Sequence, residues 1–130
     1  MGERTDAIAF VNFSTVLEAL LLDKEETERI ATTLAERLAF VLSDKSSERF
    51  NIFHKAKGLY GTRSDIVHSG TTEVPEDDLE SVRRLALLCL LWLLNDMPEI
   101  ERFQDLVDFC QRGKFEAGVE LDAGNAQPSS

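Results

Sequence analysis

Apolar residues recur every three to four positions along most of the chain, and this spacing predicts helices rather than strands. The first predicted helix covers about residues 6–22, with Asp6 as its N-terminal cap. Its opening sequence AIAFVNF (residues 7–13) also has the β-branched and aromatic content of a strand. The second predicted helix covers about residues 24–42, and the acidic residues of the segment 25–28 would occupy its first turn, where they favour the helix dipole.

The third predicted helix begins at Ser46 or Ser47 and ends at Gly70, because glycine is common just past a helix end. Gly58 and Gly61 lie inside it and destabilise it, because glycine loses more backbone entropy in a helix than any other residue does. We expect a long helix that can bend at these two positions.

The fourth predicted helix has Pro75 in its first turn and extends to about Asn95. Its second half, LALLCLLWLL (residues 85–94), is apolar on all sides, which indicates a central helix or a subunit interface. A fifth, shorter helix would open at Pro98 and stop at Gly113. Its inner face would carry Ile100, Phe103, Leu106, Val107 and Cys110.

These elements predict an all-α bundle of about five helices in one domain, residues 1–113. Residues 114–130 lack apolar periodicity and are predicted to be a polar, flexible C-terminal tail. A chain of 130 residues with 43% hydrophobic and 29% charged residues suits a single compact domain.

Several features favour a cytoplasmic protein that does not associate with membranes. No cationic leader with a small-residue cleavage site opens the chain. The apolar run 85–94 has about half the length that a membrane-spanning helix requires. Cys89 and Cys110 fall inside apolar patterns, which indicates reduced core thiols, and they form no metal motif. We therefore expect neither a metal nor another cofactor.

The formal net charge of −10 argues against a surface that attracts nucleic acid everywhere. Residues 45–63 are the exception, because they carry five basic side chains against the single acid Glu48. Within this stretch Lys55 and Lys57 are candidates for contacts with a phosphate backbone, and Tyr60 could stack on a base, although a core or interface role is more common for a tyrosine.

Arg63 and His68 follow at the end of the third predicted helix, five positions apart. Such a step separates two side chains by roughly 140° around an ideal helix, so the pair does not share one face. Cleavage of an RNA phosphodiester without metal uses both residue types. An imidazole can take or give a proton near neutral pH, while a guanidinium stabilises charge on the phosphate.

A structural interpretation of the same residues is also open. A histidine in the last helical turn favours the C-terminal dipole, and an arginine one turn earlier can bind a carboxylate. His68 can also contact Ser64 or Asp65, which lie one turn before it. Spacing alone does not decide between a catalytic and a structural pair.

The string Leu59-Tyr60, Arg63-Ser64, Ile66-Val67-His68 and Gly70 resembles the signature of the Apea-like branch of the HEPN superfamily, which is arginine, four to six residues, then histidine. The similarity extends to Leu17-Glu18-Ala19-Leu20 and to Ala35-Glu36-Arg37-Leu38, and so covers about residues 8–70. One departure is Ser69, which stands where the family commonly has glycine directly after the histidine.

The resemblance implies an all-α bundle that forms a homodimer and brings the arginine and histidine of both subunits into a shared cleft. Arg63 and His68 would then be the catalytic pair, with Ser64 as their polar neighbour. Glu18 and Arg37 would lie on packed helices and form a buried ion pair that orients Arg63 or, as we favour, braces the bundle.

Two functions therefore remain open. Many HEPN proteins are metal-independent ribonucleases of toxin–antitoxin or antiphage systems, so the chain is expected to cut RNA at a dimer cleft. Other HEPN proteins have lost activity, and the alternative is a non-catalytic module that dimerises and binds RNA or protein, in a longer protein whose other domain sets the function. The net charge of −10 favours the module, whereas the Arg63–His68 pair favours the ribonuclease.

Overall fold

Five helices make up the part of the chain that the computed structural model describes, residues 2–96 and 103–117. In chain order they are α1 (Glu3–Leu21), α2 (Ile30–Leu42), α3 (Ser46–Ser69), α4 (Glu76–Asp96) and α5 (Phe103–Ala117). These residues contain no strand, and the segment 7–13 lies within α1. The protein is therefore an all-α bundle, as the apolar periodicity predicts.

One hydrophobic core joins all five helices. α1 packs against α3 and α4, while α2 packs against α3 and α5. The core is built from side chains at helical spacing, each of which stabilises the fold by about 1.5–3 kcal/mol when it leaves water. The largest fully buried ones are Phe10, Leu21, Leu38, Val82, Cys89 and Leu106. None of the described helices combines the length and apolarity that a membrane crossing requires.

α2 begins at Ile30, and the prediction that it starts near residue 24 is wrong. The side chain of Glu26 accepts a hydrogen bond from the backbone N–H of Asp23 at 2.9 Å, which closes a turn before the helix. Arg29 then adopts the left-handed conformation, with φ of 52°. The acidic residues of segment 25–28 consequently precede α2 instead of filling its first turn.

α1 begins earlier than predicted, at Glu3. Its N-terminal cap is Gly2, whose carbonyl accepts the backbone N–H of Asp6 at 3.2 Å. Asp6 therefore lies in the first turn of α1, where its negative charge favours the helix dipole, and is not the predicted cap.

α3 matches its prediction, because it begins at Ser46 and Gly70 follows its last residue. Gly70 has φ of 69°, a conformation that glycine adopts without strain, and its N–H donates to the carbonyl of Ile66 at 3.2 Å. The helix runs without interruption through Gly58 and Gly61. Arg63 and His68 thus lie on one continuous helix.

α4 also matches its prediction and starts one residue after Pro75, whose carbonyl accepts the first helical hydrogen bonds. Its apolar half, however, packs into the hydrophobic core on one side only. Ala86 and Cys89 are buried, whereas most leucines of this half face outward. The exposed ones are Leu87, Leu88, Leu90, Leu91 and Leu94, which we call the leucine face.

α5 continues to Ala117, so the prediction that it stops at Gly113 is wrong. Gly113 lies against the ring of Phe40, and a methyl group at this position would come within 2.7 Å of it. The glycine therefore permits close packing of α5 on α2 rather than ending the helix. The predicted start at Pro98, Ile100 and the tail beyond residue 117 lie outside the described residues.

Candidate functional site

Arg63 lines an open groove of about 680 Å³ between α1, α3 and the segment that leads into α2. The middle of α3 holds Arg63 and Tyr60 one turn apart, on the side that faces α1. The groove brings together cationic, acidic and aromatic side chains, among them Glu18, Lys24, Glu26, Tyr60, Arg63 and Phe103. Of the residues predicted for the site, Glu18, Tyr60 and Arg63 are the ones that line it.

Glu18 of α1 holds the guanidinium of Arg63. Arg63 Nε lies 2.7 Å from Glu18 Oε2, and Nη2 donates a long hydrogen bond of 3.4 Å to Oε1. Nε and Oε2 are both inaccessible to solvent, yet their angle is not that of a hydrogen bond. The Arg63 and Glu18 side chains are 21% and 22% exposed, so the contact is mainly an electrostatic interaction in a partly desolvated environment.

Tyr60 supports the same guanidinium from the side. Its ring centroid lies 5.5 Å from Arg63 Cζ, within the range of a cation–π contact. The ring is half-buried and packs against the hydrophobic core. Tyr60 is thus a core-anchored aromatic, the role that the sequence favours, and one edge of it reaches the groove.

Arg37 does not pair with Glu18, and that prediction is wrong. Its Nη1 and Nη2 donate to the two carboxylate oxygens of Glu26 at 2.6 and 3.0 Å, and Nη1 also donates to the carbonyl of Leu21 at 2.8 Å. Burial alone would raise the pKa of Glu26, but the hydrogen bonds from Arg37 and the Asp23 N–H outweigh it and lower that pKa. The bidentate pair ties the connecting segment to α2, and the bond to the Leu21 carbonyl ties the end of α1 to α2, so Arg37 braces the bundle.

His68 occupies the last turn of α3 and is exposed. It makes no hydrogen bond or ion pair with residues 2–96 or 103–117, Ser64 and Asp65 included. It is also absent from the lining of the Arg63 groove. Within one chain, therefore, the groove does not bring Arg63 and His68 together, in agreement with their angular separation on the helix.

Lys55 and Lys57 of the basic stretch do not line the groove. Lys55 lies 3.6 Å from Asp78 of α4, and the amino group of Lys57 lies 5.6 Å from the ring centroid of Phe53. Both lysines are exposed. They remain open to a large ligand such as a nucleic acid, but a small molecule in the groove would not reach them.

The other chemically interesting side chains have structural surroundings. His54 is exposed and lies edge-on to the ring of Phe50 at 4.3 Å. Trp92 is half-buried and packs against Phe109 at 5.1 Å. Cys89 and Cys110 are free buried thiols, and burial raises the pKa of each to about 12. These thiols therefore stay protonated at neutral pH and are poor nucleophiles.

Glu26, Lys24 and Phe103 line the groove without having been predicted for it. The sequence marks these positions only weakly as groove residues, because Lys24 and Glu26 belong to a charged segment that is typical of the start of a helix. Phe103 reads as a core residue of α5, and its ring also lies 5.2 Å from the guanidinium carbon of Arg37. Only the tertiary arrangement identifies these three positions.

Comparisons with protein-family models, with curated proteins and with solved structures give no match to this chain. The class that the fold defines is an all-α bundle with an arginine-containing groove. The resemblance to HEPN proteins rests on the residues quoted above.

Proposed function

We propose that the protein is a HEPN-type, metal-independent ribonuclease that acts in the cytoplasm as a homodimer. The observation that carries the proposal is the exposed imidazole of His68, which has no partner in the described residues, on the same helix as the groove-lining guanidinium of Arg63. A histidine in this state is accessible to a substrate.

The reaction is an attack of the RNA 2′-hydroxyl on the adjacent phosphorus. The bond from phosphorus to the 5′-oxygen breaks, leaving a 2′,3′-cyclic phosphate and a 5′-hydroxyl. His68 removes the proton of the 2′-hydroxyl or gives one to the leaving oxygen. Arg63 stabilises the charge on the phosphate, since its Nη1 group makes no hydrogen bond to the described residues while Glu18 contacts Nε and Nη2.

The homodimer is part of the proposal because, within one chain, Arg63 lines the groove and His68 lies outside it. A second copy can supply the histidine that each Arg63 groove lacks. A role in a toxin–antitoxin or antiphage system would follow from the HEPN resemblance.

Cleavage of a varied RNA pool by the purified full chain, with and without EDTA, tests this function. We expect cleavage in EDTA, cyclic phosphate ends, and no cleavage of DNA, which lacks the 2′-hydroxyl. His68→Ala should abolish cleavage and Arg63→Ala should lower kcat/KM by about 10²- to 10³-fold. His54→Ala is the matched control, because His54 is the other exposed histidine of α3 and should leave cleavage unchanged. Equal cleavage by the parent and by His68→Ala would refute the proposal.

The second candidate is a non-catalytic module that dimerises and binds RNA or protein. The Glu18–Arg63 ion pair favours it, because an arginine already neutralised within the chain resembles a structural brace. The same assay separates the two functions. If the parent leaves RNA intact in EDTA and in added divalent metal, and circular dichroism shows that Arg63→Ala unfolds at a lower temperature, the module is supported.

A further inference from the structure

The leucine face of α4 is a contiguous apolar patch on the described surface. Its five leucines are 39% to 61% exposed and follow one another along the outer side of the helix. Together they present roughly 500 Å² of apolar surface, near the upper end of what monomeric proteins expose. Exposed residues in the first half of the same helix are charged, among them Asp77, Glu80, Arg83 and Arg84. The apolar area is thus confined to one end of α4.

We infer that the leucine face is the site at which a second copy of this chain docks, through an antiparallel pair of α4 helices. This inference rests on the homodimer of the proposed function and specifies its interface. Two such faces would remove roughly 1,000 Å² from water, which is about what a specific interface needs. Leu87, Leu91 and Leu94 are separated by four and then three residues, the spacing of a helix–helix seam.

Charge at the two ends of the face sets the direction of the pair. Arg83 and Arg84 lie about one turn before Leu87, the first residue of the face, while the last turn of α4 carries no basic side chain and bears the negative end of the helix dipole. An antiparallel arrangement places the arginines of one copy beside the C-terminal end of the other copy's α4. A parallel arrangement would instead bring the two Arg84 side chains together, which is unfavourable, whereas each Arg83 is already paired with Glu80 of its own helix.

The antiparallel seam has a definite register. If Leu87 of one copy lies opposite Leu94 of the other, the two-fold axis passes beside Leu91, and every leucine of the face meets an apolar neighbour. The face shares no residue with the lining of the Arg63 groove. Substitutions in the face can therefore disrupt association without altering a residue of the groove.

Sedimentation equilibrium of the full chain from about 1 to 100 µM tests the interface. We expect a dimer for the parent, and for Leu91→Glu a dissociation constant raised at least about 30-fold, the effect of losing a central interface side chain. Phe50→Glu is the matched control, because Phe50 is 45% exposed on α3, and it should remain dimeric. A monomeric parent at 100 µM, or equal dissociation of both variants, would overturn the inference.

Oxidative cross-linking tests the register without relying on a disruptive substitution. Cys89 and Cys110 are buried, so a cysteine introduced on the surface should react alone. Leu91→Cys should form a disulfide-linked dimer, and a mixture of Leu87→Cys with Leu94→Cys should cross-link more than either variant separately. Cross-linking of each separate variant to the same or a greater extent than the mixture would refute the antiparallel seam. A dimeric parent that fails to cut RNA would refute the ribonuclease and leave this interface supported.

Discussion

The Glu18–Arg63 pair is the contact on which the interpretation of the groove depends. A guanidinium that is four-fifths buried needs a counter-charge, and Glu18 provides it at 2.7 Å. The same carboxylate competes with any phosphate that approaches Arg63. Glu18 therefore stabilises the fold and weakens anion binding through one interaction.

Replacing Glu18 by glutamine should separate these two effects. We expect Glu18→Gln to lower the free energy of unfolding by about 1–3 kcal/mol, because Arg63 loses its counter-charge. Affinity for RNA should rise several-fold, since the guanidinium becomes available to phosphate. Chemical denaturation and fluorescence anisotropy measure the two changes. Glu80→Gln, which breaks the exposed pair with Arg83, is the control and should change stability by less than about 0.5 kcal/mol. A loss of RNA affinity in Glu18→Gln would contradict this account.

Glu26 makes the free energy of unfolding depend on pH. Its pKa is lower in the folded chain than the ordinary value of 4.5, so its carboxylate stabilises the fold above that value. This contribution should disappear as the pH falls through the folded pKa. We expect Glu26→Gln to be less stable than the parent at pH 7, with a difference that shrinks as the pH falls below the ordinary value of 4.5. Urea denaturation above and below this value measures it, and a difference independent of pH would refute the assignment.

At the scale of the helices, glycine has opposite roles in α3 and α5. Gly58 and Gly61 lie in the interior of α3, where an added methyl group would meet nothing within 4 Å. In α5 the methyl group of an alanine at Gly113 would collide with Phe40, whose side chain is buried. Glycine is therefore required at one of these positions and only tolerated at the other two.

Alanine substitutions should show this difference directly. We expect Gly58→Ala and Gly61→Ala each to stabilise the protein by about 0.5–1 kcal/mol, because alanine favours the helix. Gly113→Ala should destabilise it by about 1–3 kcal/mol, since α5 must move away from Phe40. Thermal denaturation of the three variants, followed by circular dichroism, measures the changes. A stabilised Gly113→Ala would show that α5 does not pack closely on α2.

The same helices show what the sequence can and cannot predict. Gly70 and Pro75 mark the boundary between α3 and α4 correctly because their backbone preferences are local. Gly113 misleads, since its role depends on Phe40, which is distant in the chain. The late start of α2 is missed for a similar reason, because the carboxylate of Glu26 bonds to the turn and to α2 rather than capping a helix.

At the scale of the whole molecule, the candidate site was predicted only in part. Arg63, Tyr60 and Glu18 share the groove, as their places on packed helices allow. The choice of ionic partner was not predictable, because Arg37 and Arg63 are both candidates for Glu18 and only their side-chain directions decide. His68 shows what a sequence motif leaves open. The number of residues between Arg63 and His68 does not specify whether both side chains face the same groove.

The short connection between α2 and α3 has a consequence for the order in which the chain folds. Only residues 43–45 separate these helices, and Arg49 bridges them by donating to the carbonyl of Ser43 at 2.6 Å while its guanidinium lies over Phe40. Closing so small a loop sacrifices little chain entropy, so this helical hairpin should form in the folding transition state. We expect Leu38→Ala to slow folding and Leu106→Ala of α5 mainly to accelerate unfolding. Stopped-flow kinetics in urea compares them, and the reverse pattern would place the folding nucleus elsewhere.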